Sequence, residues 1–297
     1  MNKLKTIIKR LWFILLAGIA FIMVFIISVN YNISNLFGGM PSLQDLEKPE
    51  SELSSELYSS DNILLGKYFR YNRSPVKFDE LSDELVTTLL VTEDIRFYEH
   101  SGIDLKGLVR ATYGVVKNVA TFGSSGLEGG GSTITQQLAK NLFKIRREKK
   151  GKLSNVPFLG LIISKVKEWI VAVKLEEFYT KKEILAMYLN TAEYGSNSYG
   201  IKVAAKTYFD KDPSELNYNE SSIIVGLLNK PTKYNPFFNP ENATEKRSEI
   251  FYNLYKYNIV NKTEYDSLIL TNLNLNYKVQ NQNVGPVSYT HLRAHET

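Results

Sequence analysis

The sequence predicts a mainly α-helical protein with a single N-terminal transmembrane helix. Three observations carry this reading. Residues 11–29, LWFILLAGIAFIMVFIISV, contain no charge, and about 20 apolar residues span a bilayer core as a helix. Apolar residues recur at helical spacing through most later segments. Strand signals are scarce beyond one early hairpin.

The elements follow in order. Residues 1–10 form a basic segment with Lys3, Lys5, Lys9 and Arg10 and no acid, and the first acid after the apolar run is Asp45. By the positive-inside rule this segment stays in the cytoplasm, 11–29 is a signal-anchor helix, and everything from about residue 30 is exported. The run ends on large residues rather than an A-x-A site, which favours an anchor over a cleaved signal peptide. Residues 30–75 read as an extracytoplasmic juxtamembrane segment with a small hairpin around the polar turn Ser59–Asn62. Residues 76–275 read as the catalytic domain. A helix begins at the capping residue Ser82 and runs into Glu93-Asp94, with Leu85, Leu89 and Leu90 on one face. A Gly-rich stretch at 123–131 precedes a helix starting near Ser132 or Thr133. Further helices are expected over 164–178, 181–190, 219–229 and 241–259, with 156–163 as an apolar loop. The tail 276–297 ends in VGPVSYTHLRAHET, which has no apolar period and reads as an artefact of sequencing.

Composition excludes several function classes. The 297 residues suffice for one large domain or two small ones, and 43% hydrophobic with 23% charged residues describes a folded chain. Without cysteine there are no disulfides, thiolate metal sites or Cys nucleophiles. His100, His291 and His295 are the only histidines, and two lie in the tail, so a multi-His metal site is excluded. The net charge is +5, and the positive charge is concentrated in two packets: the N-terminal segment, and residues 144–152 with six basic residues against Glu148. The remainder is mildly acidic, which argues against a nucleic-acid partner. Neither a Walker-type P-loop nor G-x-G-x-x-G is present.

Five segments carry chemistry. Glu93-Asp94 places two carboxylates at a helix end, followed by Arg96-Phe97-Tyr98-Glu99-His100; this suits a general base, or a solvated helix terminus. The run Gly129–Asn141 places glycines before a helix N-terminus, which attracts anions. Thr133, Gln137 and Asn141 share one face of that helix, and Gln136 and Lys140 another. Ser164-Lys165-Val166-Lys167-Glu168 sets Lys165 and Glu168 three apart. Ile184–Asn190 with Tyr194-Gly195 and Tyr199-Gly200 reads as a helix and loop buttressing a site. Asn229–Pro236 is a Pro-fixed loop.

In this order the segments resemble the peptidoglycan glycosyltransferase family, found in class A penicillin-binding proteins and in monofunctional membrane transglycosylases. The family patterns E-D-x-x-F-x-x-H-x-G and G-G-S-T-I-T-Q-Q-L-x-K-N occur unchanged at Glu93–Gly102 and Gly130–Asn141. The resemblance covers roughly residues 50–275. Two departures stand out: Ser164 where the family pattern has Arg, and Ala186 where Glu is usual. The first removes a phosphate-binding charge, which Arg146 or Arg147 could replace.

The resemblance implies a lysozyme-like, two-lobed glycosyltransferase domain with one lobe dipping into the outer membrane face. It implies polymerisation of lipid II with inversion at the donor MurNAc C1 and release of undecaprenyl diphosphate. Glu93 would act as base. Lys140, Lys165 and Lys167 would meet the leaving diphosphate, with Glu168 positioning them. Ser132, Gln136, Gln137 and Asn141 would hold sugar and phosphate, and Asp94 would support Glu93. No cofactor is required, though a divalent cation (Mg or Mn) can be accommodated. Partners would be lipid II, the growing glycan strand, membrane lipids and other cell-wall synthesis proteins, but no nucleic acid. The basic packet beside the apolar 156–163 segment would rest on anionic lipid. Two other readings compete. A lysozyme-like hydrolase would need no diphosphate site, and an inactive scaffold would not need Glu93 and Glu168. Two S-x-x-K matches, at Ser74–Lys77 and Ser164–Lys167, lack an accompanying K-T-G and do not indicate a transpeptidase.

Overall fold

The structure, a computed structural model, describes residues 2–47, 55–58, 61, 64–68, 75–120, 131–143 and 151–278. Most of the Gly-rich stretch, most of the second basic packet with Arg146 and Arg147, and the tail from residue 279 lie outside these.

The described residues are mainly helical, as expected. Helix α1 (Asn2–Asn30) contains the apolar run, and it is long and apolar enough to cross a membrane. A short helix α2 (Leu43–Glu47) follows, then strands β1 (Ser55–Tyr58) and β2 (Leu64–Tyr68). These pair antiparallel, Ser55 opposite Tyr68, with an irregularity between Leu57 and Tyr58. The expected hairpin is therefore present.

Helix α3 (Asp83–Glu93) starts where Ser82 accepts a hydrogen bond from the Leu85 N–H, satisfying one of the orphan donors of the first turn. Next come α4 (Leu105–Ala120), α5 (Ile134–Leu142), α6 (Pro157–Phe178) and α7 (Lys181–Thr191). The chain ends in α8 (Ile201–Phe209), α9 (Tyr218–Asn229), α10 (Pro240–Lys256) and α11 (Lys262–Leu270). Capping boxes open α7 at Thr180, α9 at Asn217 and α11 at Asn261.

One expectation is corrected. Residues 157–163 are not a loop but the first turns of α6, which follows its cap Val156 and opens with Pro157 at its first position. Proline fits there because its missing N–H would be unpaired anyway.

The main core gathers α3, α5, α7, α8 and α9 around Leu85, Leu89, Phe97, Leu138, Leu185, Tyr188, Ile201 and Ile224. Two satellites flank it. In one, Phe25, Ile26, Val29 and Phe37 of α1 and its exit pack on Ile163, Val166, Trp169 and Ile170 of α6. In the other, Val91 meets Phe251, Leu254 and Val260. Helix α1 is thus joined to the rest of the protein through α6, the helix that bears Lys165 and Glu168.

The join is polar as well as apolar. The Asn32 side chain accepts from the Phe37 and Gly38 N–H groups. Lys167 Nζ, almost fully buried, donates to the Gly39 carbonyl at 3.2 Å. Gly151 passes so close to Phe37 and Gly38 that an added Cβ would stand 2.2 Å from the Gly38 nitrogen.

Candidate active site

The site is built around the start of α5, which touches three other elements. Thr133 caps the helix, accepting from the Gln136 N–H at 3.2 Å and donating its hydroxyl to the Gly102 carbonyl at 2.8 Å. Asp94, the residue closing α3, accepts from the Ile134 N–H at 3.1 Å. A carboxylate at a helix N-terminus meets both unpaired donors and the positive dipole end. Part of this terminus is thus occupied by the protein's own Asp94.

Asp94 is also held from behind. His100 Nε2 lies 3.1 Å and 3.2 Å from its two oxygens, and an ionised carboxylate only accepts, so the imidazole donates. Lys181 secures the same loop, donating to the His100 carbonyl at 2.6 Å and pairing with Glu176 at 2.7 Å. Glu176 in turn accepts from Thr135 at 2.6 Å.

Glu93 stands one residue before Asp94 and is half-buried. Its Oε2 accepts from Gln137 Nε2 at 2.7 Å, and Gln137 Oε1 accepts from the Tyr188 hydroxyl at 2.9 Å. Burial first, then the nearby charge of Glu93 and the neighbouring Tyr194, push the Tyr188 phenol well above its ordinary range. It stays protonated and keeps donating.

A second cluster lies at Ser132, just before the cap of α5. Lys165 Nζ donates to Ser132 Oγ at 2.6 Å and pairs with Glu168 at 2.9 Å. Glu168 is almost fully buried while Lys165 remains one-third exposed. A cation with one face open beside a buried carboxylate can receive an anionic ligand without leaving its partner.

The remaining expected residues divide. Lys140 is half-buried and Asn141 exposed on the later part of α5. Gln136 is turned inward, its Nε2 donating to the Gly102 carbonyl at 3.1 Å. Lys167 points at the anchor's exit segment. Ser164 donates to the Gly160 carbonyl one turn back, and Ala186 is buried. Among the described residues, no three His, Asp or Glu side chains converge as a metal site would require. Sequence reasoning passed over Tyr188 and Lys181. Tyr188 stands in the Ile184–Asn190 segment that reads as a buttress, but nothing in its spacing points at Glu93.

A transglycosylase family model matches residues 61–255. Penicillin-binding protein 1A of Vibrio cholerae is 34% identical over 228 residues, covering 77% of this chain and 26% of that protein. The protein of the same name from Haemophilus influenzae is 36% identical over 222 residues, covering 75% and 24%. A crystal structure of the H. influenzae protein aligns over 78% of this chain and 22% of its own, at 21% identity and a TM-score of 0.42. The chain spans about a quarter of the length of these relatives. With its family patterns at Glu93–Gly102 and Gly130–Asn141 and these matches, the chain belongs to the transglycosylase family, that of the glycosyltransferase domain of class A penicillin-binding proteins.

Proposed function

We propose that this protein polymerises lipid II into β-1,4-linked glycan strands at the outer face of the cell membrane. The observation that carries the reading is the pair of clusters about the start of α5: an oriented carboxylate at Glu93, held by Gln137, and a partly exposed cation at Lys165, held by Ser132 and backed by Glu168.

The chemistry assigned to them is an inverting displacement. Glu93 takes the proton from the 4-hydroxyl of the acceptor GlcNAc as that oxygen attacks C1 of the donor MurNAc. The C1–O bond breaks and its electron pair leaves on the undecaprenyl diphosphate. A diphosphate needs no strong acid to depart, but it needs positive charge, which Lys165 and Lys140 supply. Ser132 and Asn141 contact the sugar or phosphate. Gln136 serves by holding the start of α5, and Lys167 by tying α6 to the anchor.

The membrane setting has its own support. Besides α1, apolar side chains are exposed at Phe158 and Leu161 on the first turns of α6, and at Leu105, Val109 and Tyr113 along one stripe of α4. Contiguous apolar stripes of this kind favour a lipid interface. The basic residues Lys3, Lys5, Lys9 and Arg10, at the start of α1 and ahead of its apolar run, favour an orientation with the domain outside.

The test is incubation of the purified full chain, in detergent or bilayer, with lipid II. Long glycan that lysozyme digests is the expected product. Consumption of finished glycan with no synthesis would indicate a hydrolase, and neither reaction would leave a scaffold.

A further inference from the structure

Gln137 has both ends of its amide engaged within the protein, and the identity of its two partners dictates which end points where. Glu93, as a carboxylate, can only accept, so the nitrogen must face it. The oxygen then faces Tyr188, whose hydroxyl must donate. The contacts, 2.9 Å from Tyr188 to Gln137 and 2.7 Å from Gln137 to Glu93, form one continuous chain. Its far end is fixed: Tyr188 is 1% exposed in the main core on α7.

We infer that Tyr188 is a positioning residue that locks the Gln137 amide with its N–H toward Glu93, so that Gln137 serves Glu93 rather than the sugar. Without the Tyr188 hydroxyl, the amide can rotate about its terminal bond at little cost. Its oxygen would then face the carboxylate, and the donor that favours the ionised base would be lost. The raised range of the Tyr188 phenol fits this role, because only the protonated phenol sets the direction of the chain. The inference rests on the assignment of Glu93 as base.

The experiment compares Tyr188→Phe, Gln137→Leu and the double variant on lipid II, as full chains, with thermal unfolding to confirm folding. Each single variant is expected to lower kcat about tenfold with KM changed by less than about twofold, and to move the acid limb of the activity profile to higher pH. The double variant is expected to be no slower than either single one, because both remove the same link. Unchanged kcat in Tyr188→Phe, or losses that multiply in the double variant, would overturn the relay. A second readout needs no activity. In glutamine-15N-labelled protein, the side-chain amide signal that disappears in Gln137→Leu should shift in both Glu93→Gln and Tyr188→Phe. An amide signal indifferent to Tyr188→Phe would overturn the relay whether or not the chain polymerises lipid II. Absence of glycan from the unsubstituted chain would count against the functional reading alone.

Discussion

Asp104 shows how a single residue holds the loop that frames the site. Its Oδ1 accepts from the Gly107 N–H at 2.9 Å at the start of α4, and its Oδ2 pairs with Arg96. Burial pushes its carboxyl up, but the hydrogen bond and charge of Arg96 outweigh that, and it ends below the usual carboxylate range. The same pairing raises Arg96. With the folded pKa below the unfolded one, the stabilisation is present above about pH 4 and fades as the pH falls through the folded value. Asp104→Asn should cost about 1 kcal/mol at neutral pH. It should also flatten the fall of stability below pH 4, as followed by chemical denaturation across pH. An acid response as steep as that of the unsubstituted chain would contradict this.

At the scale of elements, the start of α5 is placed by a backbone oxygen. Gly102 has φ +83°, a region that side chains rarely adopt, and an added Cβ would stand 2.8 Å from the Ala172 carbonyl carbon on α6. The Gly102 carbonyl receives both Thr133 and Gln136. Gly102→Ala should therefore push α6 away from the 102–104 loop and shift α5 with it. A loss of about 2–4 kcal/mol in thermal or denaturant unfolding is expected, together with slower turnover of lipid II. A fully stable, fully active variant would show that α5 is placed by other contacts. The same geometry explains why the helix was legible in the sequence and its partners were not. Thr133 and the glycines before it announce a helix start, but Asp94 and Ile134 lie 40 residues apart, and Glu93 and Gln137 lie 44 apart.

In the molecule as a whole, α1 and its exit segment pack on α6. Phe37, 7% exposed, stacks edge-on with Phe25 at 5.8 Å and closes the cluster on Ile163 and Val166. Phe37→Ala should cost about 3 kcal/mol, read as a lower unfolding temperature in bilayer discs. An unchanged unfolding temperature would mean that α1 and the domain are independent. Much of this architecture was legible beforehand. Charge and apolar length marked α1, the polar turn marked the hairpin, the capping Ser82 marked the start of α3, and the helices at 181–190 and 219–229 were expected from the sequence without their caps. What was missed has physical causes. Helix α8 is buried nearly all round, from Ile201 through Phe209, and so lacks the polar face that gives an amphipathic period. Helix α4 turns Leu105, Val109 and Tyr113 outward, which inverts the usual pattern. The first turns of α6 are apolar on exposed positions, so they read as a loop.

The most direct test of the account is the rate of lipid II polymerisation by Glu93→Gln beside the unsubstituted chain, both in bilayer and both shown to be folded. The substitution keeps the shape and removes the carboxylate proposed as the base, so the rate should fall by at least about 100-fold with lipid II binding retained. Polymerisation at an undiminished rate would contradict the assignment of Glu93 and, with it, the mechanism.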